Sequence, residues 1–141
     1  MESRDVLTFA GSRAGFEQGF GQLRAILARH PLQPRTRYRC ELVFEEIVSN
    51  IIRHGYADNQ EHRISMTVAI HGDRVELHFE DDGVPFDPRQ PMPAGAEAPP
   101  HSDCGGRGLV LLRSVAEHID YERTPQRRNH LRVTVAAHET T

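Results

Sequence analysis

Residues 41–56 read ELVFEEIVSNIIRHGY. An apolar-rich run of this length exceeds one strand, so the spacing predicts a helix from about Arg35 through Arg53, with Gly55 as its stop just after His54. Glu46 and Asn50 are four residues apart and share one face of that helix. A carboxylate and an amide so placed can accept a proton and offer an oxygen to a hard cation such as Mg²⁺. They can equally lie on the solvated stripe of an amphipathic helix.

Outward from this helix the pattern changes on both sides. Before it, Phe16, Phe20, Leu23 and Leu27 mark a helical stripe from Ser12 to about His30, broken by His30-Pro31 and Pro34. These apolar residues read as core. VLTF at Val6–Phe9 reads as an opening strand. After it, Ile64, Met66, Val68 and Ile70, then Val75, Leu77 and Phe79, alternate with polar or small residues around Gly72-Asp73, a tight hairpin.

The inward series 75, 77, 79 continues to Asp81, which predicts a carboxylate on the buried side of the sheet. Such burial costs free energy without a partner. Gly83 beside it lets backbone approach a ligand closely. The plain alternative is a strand-end Asp opening an ordinary turn. Residues 84–106 carry six of the nine prolines and form a long loop, which in a small domain is a lid, a binding loop or disorder. Gly105-Gly106-Arg107-Gly108-Leu109 then opens a helical pattern to Ile119, and its amides and helix start could attract phosphate or serve as a hinge. Leu131, Val133 and Val135 form a last strand, paired with a short one near Ile119–Glu122. The order predicts an α+β two-layer sandwich, with helices on one face of a mixed, mostly antiparallel sheet.

The 141 residues suit one domain, 1–141. A net charge of −3 argues against nucleic-acid binding through a positive field. No run is long and apolar enough for a membrane span and no leader opens the chain, so the expected location is cytoplasmic. Cys40 and Cys104 lack CxxC spacing and suit a reducing compartment, Cys40 as a core residue and Cys104 as a passive exposed thiol. The nine histidines make no HExxH pair, and Arg35, Arg37 and Arg39 read as a solvated helix start. All seventeen basic residues are arginine. With no lysine, a Walker A loop, a protein-kinase core and Schiff-base chemistry are excluded.

Taken in order, ELVFEEIVSNIIRHGY, FEDDGVPFDP (Phe79–Pro88) and GGRGLVLLRSVAEHIDYER (Gly105–Arg123) resemble the N, G1 and G2 boxes of the GHKL ATPases. The chain is most similar to the RsbW-like anti-sigma-factor serine kinases. That resemblance implies the Bergerat (histidine kinase-like ATPase) fold with a flexible ATP lid over about 88–105, and ATP with Mg²⁺ as cofactors. It implies Glu46 as general base toward a protein serine, Asn50 as Mg²⁺ ligand, and Asp81 as acceptor for the adenine amine with Gly83 beside the base. Gly106, Arg107, Gly108 and Leu109 would meet the phosphates. His54 would either shape the phosphate side or satisfy the helix's last carbonyls. The implied protein is a protein serine/threonine kinase that phosphorylates a STAS-type anti-sigma-factor antagonist, sequesters a sigma factor and forms a homodimer. The alternative is a nucleotide-binding switch module with little catalysis. One departure stands out: Thr124–Asn129 (TPQRRN) replaces a glycine-rich turn before the last strand, at a place expected to be remote from the nucleotide.

Overall fold

A computed structural model describes residues 2–54, 61–72, 74–89 and 112–136. The elements run β1 (Glu2–Ala10), α1 (Arg13–Ala28), α2 (Pro34–His54), β2 (Arg63–His71), β3 (Arg74–Asp81), β4 (His118–Arg123) and β5 (Asn129–Ala136). The sheet order is β1-β2-β3-β5-β4. Every pairing among the described strands is antiparallel, so the sheet is more regular than the mixed one expected.

Each element follows from its local sequence. Ser12 caps α1 by accepting a hydrogen bond from the Gly15 amide at 3.1 Å. The β2–β3 hairpin closes through Gly72 at φ +58°, a backbone state that glycine adopts without steric cost. In the β4–β5 turn Arg127 takes the left-handed conformation, at φ 61°. That turn is closed by Thr124 N–H to the Arg128 carbonyl at 2.8 Å and by Arg127 N–H back to the Thr124 carbonyl at 3.0 Å.

The period-2 strands send Leu7, Phe9, Ile64, Met66, Val68, Val75, Leu77, Phe79, Leu131, Val133 and Val135 into one core. The helices cover it with Leu23, Ile26 and Leu27 from α1 and Cys40, Val43, Phe44, Ile47 and Val48 from α2. Phe44 gathers the rings of Phe9, Phe16 and Phe20, with centroids 5.5, 5.3 and 5.6 Å away. The expected core roles of Phe16, Phe20, Leu23 and Cys40 therefore hold. Burial pushes the Cys40 thiol up to about 12, which leaves it a small apolar residue. The opposite face of the sheet is polar, with His71 bonded to Glu76 at 2.9 Å and Arg132 to Asp120 at 2.7 Å.

One element differs from expectation. The helical pattern from Leu109 to Ile119 is helical over residues 112–115 and then yields to β4. The cause is tertiary: the Glu117 amide is already taken by the Thr134 carbonyl of β5 at 2.7 Å, which ends the helix and starts the ladder. A local pattern cannot show this competition.

Candidate functional site

The C-terminal end of β3 and the second half of α2 meet at a cleft of about 450 Å³, open solvent included. Ile47, Asn50 and Ile51 of α2 form one wall. Phe79, Asp81, Val84, Phe86 and Pro88 form another, and Tyr121, Asn129 and Leu131 close the base. A mostly apolar slot with a few converging polar groups suits a flat heterocycle.

Asp81 is 2% exposed, as the alternation of β3 predicted. Its Oδ1 accepts from Asn129 Nδ2 at 2.8 Å and from the Gly83 amide at 3.3 Å. Among the described residues its Oδ2 has only a long 3.4 Å contact to the same Asn129 nitrogen. Burial pushes the Asp81 carboxyl above its ordinary value, and the Asn129 and Gly83 hydrogen bonds oppose that rise. Asp82 beside it adds a smaller push upward and Arg123 a smaller pull downward. The result is a buried acceptor on the cleft wall, with Oδ1 committed and Oδ2 only weakly engaged.

Asn50 lies on the cleft wall, brought there from α2 across 31 residues of chain, counted from 50 to 81. Glu46 sits one turn earlier on the same helix and is half-buried. Burial, reinforced by Glu45, raises its carboxyl above the ordinary range, while Arg53 pulls it back. A carboxylate with a raised pKa is a stronger base toward a hydroxyl. Gly83 is buried next to Asp81, and its carbonyl accepts from Arg123 Nη1 at 2.8 Å.

The structure thus brings together Asn50, Asp81 and Gly83, with Glu46 a turn away. The His54 side chain, the Gly55 stop, Cys104, and Gly106, Arg107, Gly108 and Leu109 lie outside the described residues. So does the lid beyond Arg89. At its start, the Pro88 carbonyl accepts from Arg113 Nη2 at 3.0 Å, and Asp87 forks onto Arg89.

The expectation that the Thr124–Asn129 turn is remote from the site is wrong. Asn129 opens β5 directly opposite Asp81, so the end of the turn forms the base of the cleft. Tyr121 OH and Arg123 Nη1 both donate to Asn129 Oδ1, at 2.5 and 3.1 Å. Sequence reasoning missed all three residues. The usable signal was that the residue paired with Asp81 on its neighbouring strand would touch it, but this requires knowing that β5 is that neighbour.

Against known proteins, the model of the Histidine kinase-like ATPase domain matches residues 20–135. The chain belongs to that family. Its RsbW-like branch is indicated by two curated relatives. The histidine kinase-like chain is 30% identical over 113 residues to the serine/threonine-protein kinase BtrW of Bordetella bronchiseptica, covering 79% of each protein. It is 26% identical over 101 residues to the serine-protein kinase RsbW of Bacillus subtilis, covering 68% of this chain and 59% of that one. A solved structure of the RsbU and RsbW domains of Rv1364c from Mycobacterium tuberculosis superimposes with a TM-score of 0.63 at 15% identity. It covers 95% of this chain, which spans about a third (32%) of that longer one, and it shows the fold. The family's domain is an ATPase domain, which implies that the chain binds ATP. No helix among the described residues is long and apolar enough to cross a membrane.

Proposed function

We propose that this chain is an ATP-dependent anti-sigma-factor serine kinase that phosphorylates a STAS-type antagonist and sequesters a sigma factor. The observation that carries the reading is the convergence of Asn50 and Asp81 on one cleft, with Glu46 a turn from Asn50. The kinase names of its relatives support the same activity.

The residues present fit the nucleotide. Asp81, whose Oδ2 has only the long contact to Asn129 among the described residues, is a buried acceptor lining a slot with Ile47, Ile51, Phe79 and Leu131, which suits the exocyclic amine of adenine. Asn50 supplies a neutral amide oxygen on the cleft wall, and Mg²⁺ commonly takes one or two protein oxygens together with phosphates and water. When bound, Mg²⁺-ATP supplies the phosphoryl group and the countercharge for its transfer. This chain's part is to hold the base through Asp81, to orient the metal through Asn50, and to accept the serine proton on Glu46. Glu46 performs that last step because burial and Glu45 raise its basicity. Gly106, Gly108 and Arg107, with Leu109 following, would meet the phosphates, and His54 would border them. A homodimer and a cytoplasmic setting complete the reading.

The test is transfer of labelled γ-phosphate from ATP to a STAS-domain antagonist, with Glu46→Gln and Asp81→Asn alongside wild type. Serine phosphorylation that both substitutions abolish supports the kinase. Nucleotide binding without transfer to any such protein would favour the switch module.

A further inference from the structure

Asn129 is fully committed. Its Nδ2 carries two hydrogens, and they go to Asp81 Oδ1 at 2.8 Å and to the Val84 carbonyl at 2.9 Å. Its Oδ1 accepts from Tyr121 and from Arg123. Which way the amide points is set by chemistry. A guanidinium has no acceptor, so the atom facing Arg123 must be the oxygen, and the nitrogen must face Asp81. Arg123 also grips the Gly83 carbonyl at 2.8 Å, so β4 holds both the amide and the loop that follows Asp81.

This arrangement has a consequence for the proton on Asp81. A carboxyl facing an N–H donor at Oδ1 is favoured as the ionised acceptor. Remove the donor, and burial favours the neutral acid, whose proton would sit on the weakly engaged Oδ2. An ionised Oδ2 accepts from a base amine and repels a base carbonyl. A protonated one can donate to the carbonyl instead. The other charged groups bearing on Asp81 are Asp82, next along the chain, and Arg123 on β4.

Resting on the nucleotide reading above, we infer that Asn129, oriented by Tyr121 and Arg123, is a positioning residue that makes the site select bases with an exocyclic amine over bases with a carbonyl there. Asn129 has its donors and acceptor already spent on protein groups, so it does not touch the nucleotide itself. It acts through Asp81.

The experiment is calorimetric titration of the full chain with ADP and with IDP, which replaces the amine by a carbonyl, in the presence of Mg²⁺. Wild type is expected to prefer ADP by at least about tenfold. Asn129→Leu is expected to lose about tenfold in ADP affinity while its ADP-to-IDP ratio falls toward one. Asn129→Thr keeps a hydroxyl donor toward Asp81 and is expected to restore the ratio to within about threefold of wild type. Tyr121→Phe removes one donor to Oδ1 and should shift the ratio in the same direction by a smaller amount, so the test survives if Asn129→Leu fails to fold. A wild-type ratio retained in the folded Leu and Phe variants overturns the inference alone. A wild-type chain that binds neither nucleotide overturns both the inference and the nucleotide reading beneath it.

Discussion

Asp81 and Asn129 are paired residues of β3 and β5, and the carboxylate is bonded to the amide at 2.8 Å with only 2% of Asp81 exposed. Their balance sets a pH dependence. Burial, the largest influence, holds the Asp81 carboxyl above its ordinary value despite the amide. A group raised in the folded state contributes stability that is complete below its unfolded pKa and is lost as pH rises through its folded value. The unfolding free energy of wild type relative to Asp81→Asn should therefore fall as pH climbs out of the ordinary carboxylate range. Paired urea titrations from about pH 3.5 to 8 measure this. A difference that stays flat, or rises with pH, contradicts it.

Asn50 is expected to carry the metal's share of nucleotide affinity. In Asn50→Ala the added affinity for ADP that Mg²⁺ brings to wild type should shrink by about tenfold, while metal-free binding changes little. Calorimetry with and without Mg²⁺ separates the two.

Glu46 is expected to matter for transfer and not for binding. Glu46→Gln keeps size and removes the proton acceptor, so phosphotransfer should drop by about 10²–10⁴-fold with ADP affinity near wild type. Equal losses in both would make Glu46 a structural residue of α2.

The glycines of α1 should split by position. A Cβ on Gly15 would lie 1.8 Å from the Ala10 carbonyl oxygen, and one on Gly19 would lie 2.7 Å from the Phe9 ring. Gly15→Ala should cost about 3 kcal/mol and Gly19→Ala about 1–3 kcal/mol, because backbone and a buried ring must move. Gly21 has nothing within 4 Å, and Gly21→Ala should stabilise by about 0.5–1 kcal/mol through helix propensity. Denaturant midpoints for the three variants check the order.

What could be seen in the sequence was whatever local periodicity encodes. The α2 stripe set Glu46 and Asn50 on one face, and the alternation of β3 turned Asp81 inward, both before any contact was known. Non-local facts were hidden. LLRSVAEHI reads as helix, yet the amide of Glu117 is claimed by Thr134, and β4 begins where the pattern would have continued. Asn129 looked like the end of a distant turn because nothing local says that β5 lies beside β3. Tyr121 and Arg123 were invisible for the same reason: their importance exists only once β4 pairs with β5 and points them at Asn129. The glycine loop at Gly106 and Gly108 was the weakest motif in isolation, and only its order after the other two gave it meaning.

In the proposed function Asp81 anchors an adenine nucleotide in this cleft. The most direct measurement is the melting temperature of wild type and Asp81→Asn across an ADP titration with Mg²⁺. A ligand that binds only the folded state stabilises it by about 2.7 kcal/mol at a hundred times its dissociation constant. Wild type should show a clear, saturating rise and Asp81→Asn little or none, because its amide would face the base amine donor to donor. Equal rises in the two proteins, or no rise in wild type, would contradict it.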